Sequence, residues 1–152
     1  MSKVKGQGIK AEGIDIGATL GGKAMMRFED LEVWKRAARL SADIYIQLRE
    51  LRDFGFKDQI TRSGLSVPSN TAEGFERETQ KDCIKFLTYA KGSCGELRCQ
   101  IYIGIKIDYI PKEIGQRWLA EATEISAMLS GLIKTKRGFL KSTLASIVSF
   151  VL

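Results

Sequence analysis

Histidine is absent from this 152-residue chain. The side chain that most often serves as a general base, and that commonly ligates zinc, is therefore missing. Cysteine occurs three times, at Cys83, Cys94 and Cys99, with no CxxC spacing. That pattern argues against a disulfide framework or a zinc centre, and buried reduced thiols in a cytoplasmic protein are expected. Proline occurs twice, at Pro68 and Pro111, so helices meet few interruptions. The glycines of residues 1–24 form no GxxxxGK[ST] phosphate loop. No apolar stretch follows the early lysines, so a secretory signal is not expected. The apolar end, 139–152, is shorter than the ~20 residues of a membrane span.

Charge is plentiful but unevenly placed. The net charge is +6, from 24 basic and 18 acidic residues. Residues 28–124 hold fifteen basic residues and sixteen acids, so the expected folded body is nearly neutral. Residues 125–152 carry Lys134, Lys136, Arg137 and Lys141 with no acid. A basic end attracts phosphate, and it also serves simply to keep a chain soluble.

Three regions are expected: a flexible glycine-rich segment 1–27, a folded body 28–137, and an apolar tail 138–152 that is either docked, loose, or a contact for a partner or membrane surface. Met25 or Met26 is a plausible start. The apolar spacing predicts four helices. The first spans 29–53, with Trp34, Ala37, Ser41, Ile44, Leu48 and Leu51 inward, Asp30 as N-terminal cap or first-turn acid and Gly55 as stop. The second spans 57–75, with Ile60, Gly64, Val67 and Thr71 on one face. Pro68 lies four residues after Gly64, which predicts a kink or local break at 66–68, and Gly74 weakens or ends the helix. The third spans 79–108, with Cys83, Leu87, Ala90, Cys94, Leu97, Ile101 and Gly104 in one stripe and Phe86, Tyr89 and Ile103 on a second flank. Gly92, Ser93 and Gly95 form a small patch suited to close packing of a helix or a second subunit. The fourth spans 112–136 and stops at Gly138. The expected architecture is all-α, an antiparallel up-down four-helix bundle with helix two kinked at Pro68.

Two stretches are more specific. Phe28-Glu-Asp-Leu-Glu-Val-Trp34 is one. The other comprises Gln59-Ile60, Arg62-Ser63, Ser66-Val67-Pro68-Ser69-Asn70, Ala72-Glu73-Gly74 and Arg77, followed by Phe86-Leu87, Gly92-Ser93 and Glu96-Leu97. Together they resemble the four-helix-bundle proteins encoded in 23S rRNA intervening sequences, over about 28–133. The resemblance implies a ring-shaped homopentamer, RNA or ribosome association, and kinship with the accessory variability determinants of retroelements, which bind nucleic acid and a reverse transcriptase. Thr71 stands where the family usually has isoleucine, and both chain ends lie outside the pattern.

No catalytic residues, metal site or cofactor are expected. Cys94 has no visible base. Glu73 and Arg77, four apart, read either as a helix-surface pair or, with Arg62 and near Pro68, Asn70 and Gly74, as a polar cluster fixing helix two or a subunit contact. The first functional reading is phosphate binding by Lys134, Lys136, Arg137 and Lys141, with Lys81, Lys85 and Lys91 as a second set. The other is a homo-oligomeric scaffold for a protein partner.

Overall fold

The computed structural model describes residues 26–151. A 3₁₀ turn at Phe28–Asp30 leads into α1 (Glu32–Gln47), α2 (Phe54–Glu76), α3 (Gln80–Lys106) and α4 (Lys112–Val151). No strand occurs among the described residues. The glycine-rich lead and Met25 lie outside them.

Apolar periodicity becomes one shared core. The expected α3 stripe, Cys83, Leu87, Ala90, Cys94, Leu97, Ile101 and Gly104, is buried throughout. Trp118, Ala122, Ile125, Leu129 and Ile133 of α4 close the core from the other side. On α1 the buried face is Val33, Ala37, Leu40, Ser41 and Ile44, rotated slightly from the expected one. Trp34 instead sits half-buried at the rim, its ring edge-on to Phe28 with centroids 5.1 Å apart.

The pairing directions follow from the contacts. Arg36 meets Glu121 and Glu124, whereas Asp43, two turns later, meets Trp118. Ser66 meets Ser93, while Gly74 lies against Cys83 and Phe86. Both seams are those of antiparallel neighbours, and α3 packs extensively on α2 and α4.

Local chemistry sets the boundaries. Asp30 does not cap α1; Leu31 holds that position, and the Asp30 carboxylate accepts the Arg27 backbone N–H at 3.3 Å. Gly55 does not stop the first helix, which ends at Gln47. Asp53 instead caps α2 by accepting the Phe56 N–H at 3.0 Å, and its other oxygen accepts the Tyr109 hydroxyl at 3.0 Å. Thr79 caps α3 by accepting the Asp82 N–H at 3.0 Å. Asp108 takes a φ of 60°, and the Tyr109 and Ile110 N–H groups turn back to the Gly104 carbonyl. That left-handed residue closes the end of α3 before Pro111.

Helix α2 runs through Pro68 without interruption, so the alternative of a local break is not what forms. Gly74 does not end the helix either; it is buried inside it. A Cβ there would stand 3.1 Å from the Cys83 carbonyl oxygen and 3.1 Å from Phe86 Cβ. The missing side chain thus lets α2 meet α3 backbone. Thr71 is fully buried, and its hydroxyl donates to the Val67 carbonyl at 2.8 Å. The extra polarity at this position is therefore satisfied within the helix.

The largest departure is α4. It continues past Gly138 to Val151, so the boundary drawn between 137 and 138 falls inside a helix. A glycine costs a helix about 1 kcal/mol, and with no proline following, the flanking turns absorb it.

The α1–α4 seam carries a charged clasp. Arg36 Nε donates to Glu121 at 2.7 Å, and Arg36 Nη2 donates to Glu121 and Glu124, each at 2.6 Å. The guanidinium side chain is 23% exposed. Arg36 holds the Glu121 carboxyl below the usual glutamate range, despite opposing burial. The Trp118 indole N–H, deep in the core, donates to Asp43 at 2.7 Å.

Two measurements check this packing. In urea denaturation, Gly74→Ala should cost about 1–3 kcal/mol through overpacking. Gly92→Ala, at an exposed site with no atom within 4 Å of the added Cβ, should instead gain up to ~1 kcal/mol from helix propensity. Glu121→Gln should lower stability at neutral pH by about 1 kcal/mol, the partial exposure limiting the effect. Because the folded-state pKa is depressed, that contribution is present above the ordinary glutamate value of ~4.3 and is lost as pH falls through the lower folded value. The gap between wild type and Glu121→Gln should therefore close on acidification.

Candidate nucleic-acid interface

Helices α3 and α4 leave an open groove between them of about 470 Å³. Thr88 and Lys91 line it from α3. Ser130, Lys134, Arg137 and Lys141 line it from α4, with Ile133 and Gly138 between them. Positions 130, 134, 137 and 141 advance by four, three and four, which stacks them on one side of a helix. Three lysines, one arginine and two hydroxyls thus face a single channel, and no acid lines it. The cations have no ion-pair partner among the described residues.

The expected cations divide. Lys91, Lys134, Arg137 and Lys141 come together in the groove. Lys136 does not join them: its ammonium lies 4.9 Å from the Phe75 ring centroid, against α2. Lys81 and Lys85 are exposed nearer the N-terminus of α3 and outside the groove, Lys85 lying 5.9 Å from the Tyr89 ring centroid. Thr88 and Ser130 were not expected as groove residues. Their positions, three before Lys91 and four before Lys134, are the signal that could have found them.

The central motif serves the α2–α3 seam. Asn70 Nδ2 donates to the Ser66 carbonyl at 2.9 Å and to Ser66 Oγ at 2.8 Å, and Ser66 Oγ meets Ser93 Oγ at 2.9 Å. Arg62, Glu73 and Arg77 do not form one cluster. Arg62 pairs with Asp58 at 2.8 Å, while Arg77 pairs with Glu73 and stacks 4.6 Å over Phe86. Gly92 and Gly95 are exposed with no atom within 4 Å of an added Cβ, so neither supports close packing within the chain. Tyr89, Tyr102 and Ile103 are exposed on the same outer side of α3.

The thiols are not alike. Cys83 and Cys94 are buried, but Cys99 is exposed, contrary to the expectation of three buried thiols. Burial pushes the Cys94 thiol up to about 12, which keeps it protonated and unreactive at neutral pH. No cluster of potential metal ligands occurs among the described residues.

The family model described as 23S rRNA-intervening sequence protein matches residues 29–131. The chain belongs to that family. A crystal structure of a protein of unknown function from the S23 ribosomal protein family, from Bacteroides thetaiotaomicron, is similar to this family member at 27% identity. The match covers 67% of this chain and 98% of that one, with a TM-score of 0.64. Comparison with curated proteins gives no match. The family span includes Thr88, Lys91 and Ser130 but ends before Lys134, Arg137 and Lys141. Five of the eight residues lining the groove therefore lie beyond the matched region.

Thiol titration checks the burial pattern. An aromatic disulfide reagent should modify Cys99 rapidly in the native protein and Cys83 and Cys94 only on unfolding. Fast modification of all three would contradict the packing of α3.

Proposed function

We propose that this family member is a non-enzymatic, cytoplasmic bacterial protein that binds RNA through the α3–α4 groove. The observation that carries this reading is the convergence of Lys91, Lys134, Arg137 and Lys141 on one acid-free channel beside a nearly neutral body. Ammonium and guanidinium groups neutralise backbone phosphates. The Thr88 and Ser130 hydroxyls, which donate to the Ile84 and Ser126 carbonyls, offer acceptor oxygens to the ribose hydroxyls. Such contacts position an RNA strand without reading its bases. The family's name, taken from an interruption in 23S rRNA, makes rRNA the natural first ligand to test.

A second reading, compatible with the first, is a homo-oligomeric scaffold. It is supported by the outer side of α3, where Tyr89, Tyr102 and Ile103 lie exposed beside the open Gly92 and Gly95. Five copies repeating a head-to-tail contact through this face would close the ring-shaped homopentamer that the family resemblance implies, a scaffold for a protein partner such as a reverse transcriptase. Light scattering of wild type and Gly92→Leu tests it: an assembly lost in the variant supports this face, and a wild-type monomer at micromolar concentration opposes it.

For RNA, filter binding to single-stranded rRNA fragments across a salt series is decisive. Four phosphate contacts to a single strand predict a log–log salt slope near −3 (~0.7 per contact). Lys134→Glu/Arg137→Glu should weaken binding about tenfold or more and flatten the slope. Absence of binding at low salt would overturn the reading.

A further inference from the structure

The C-terminal part of α4 has a property that the groove does not use. Residues 138–151 extend the helix by about 20 Å. Phe139, Leu144, Ile147, Val148 and Phe150 are all exposed there, Phe150 at 92%. At 100° per residue, these and Leu140 fall within an arc of about 180°. Ser142, Ser146 and Ser149 occupy the opposite side, and Lys141 is the segment's only charge. Lys141 and the preceding Arg137 and Lys134 run along one edge of the arc, and no acid occurs from 125 to 151.

This pattern discriminates among occupants. A two-helix seam takes two positions in seven, far narrower than this arc. A second copy aligned in parallel would bring the same cations together without a compensating acid. An anionic lipid surface supplies both missing partners: negative headgroups for the cations and an acyl boundary for the broad apolar side. The segment is too short to cross a hydrocarbon core of about 30 Å, and no described helix is long and apolar enough to do so.

We propose that residues 138–151 dock on an anionic lipid bilayer, with the Phe139–Phe150 arc in the acyl boundary and Lys134, Arg137 and Lys141 on the headgroups. The helix lies along the surface and holds the bundle beside it. Docking does not depend on RNA binding, although the two ligands share these cations.

Flotation of the full chain with vesicles tests it, using phosphatidylglycerol mixed with phosphatidylcholine against phosphatidylcholine alone. Wild type should float with the anionic vesicles and far less with the neutral ones. Leu144→Gln/Ile147→Gln should reduce flotation about tenfold while leaving circular dichroism and RNA affinity unchanged, because both residues lie outside the core and the groove and the substitution adds no charge. Three results would overturn the proposal: wild type failing to float with anionic vesicles, the variant floating equally well, or the variant losing self-association in buffer with vesicle binding intact. RNA affinity, read separately, distinguishes failure here from failure of the groove.

Discussion

The close approach of α2 to α3 at Gly74 constrains the rest of the bundle. A side chain there would meet the Cys83 carbonyl and Phe86 Cβ. Further along the same seam, Ser66 bridges to Ser93 with Asn70 behind it, so hydrogen bonds fix the sliding register that apolar packing alone leaves loose. Once one side of α3 is bound this closely, its other faces are set. Thr88 and Lys91 then flank α4 and build the groove, while Tyr89 and Tyr102 are left facing out. The motif in the middle of the chain positions the basic channel without lining it.

Much of this was legible in the residues. Period-3.6 spacing found the four α-helices of the described residues and the whole buried stripe of α3, because a buried stripe has to repeat with the helix. Thr79 was readable as the start of α3, since a threonine followed by Asp82 satisfies the free N–H groups of a first turn. The α1 face was placed slightly off because Trp34 is large enough to belong either to the core or to its rim. Gly138 misled because glycine is a frequent helix stop, yet nothing after it turns the chain. The Arg36 clasp could not be read at all: its partners lie 85 and 88 residues away. Only the fold makes them neighbours.

The candidate site was legible in kind and incomplete in place. Counting charges singled out the end of α4, but cannot tell which side of a helix is free. Lys136, two residues from Lys134, turns onto Phe75 and leaves the channel. Lys91 joins it from another helix, at a distance in sequence that only the antiparallel turn closes. The result is a surface in which one cationic strip meets the α3–α4 groove on one side and an apolar helix end on the other. Phosphate is the chemistry common to both proposed ligands, which makes competition between RNA and anionic lipid a natural consequence of the geometry.

The role of the groove is tested most directly by lysine acylation footprinting with and without bound rRNA fragment, read by mass spectrometry. RNA should protect Lys91, Lys134 and Lys141, while Lys35 and Lys112, exposed elsewhere on the bundle, stay equally reactive. Protection confined to other lysines, or none under conditions where RNA is bound, would contradict the assignment of the α3–α4 groove.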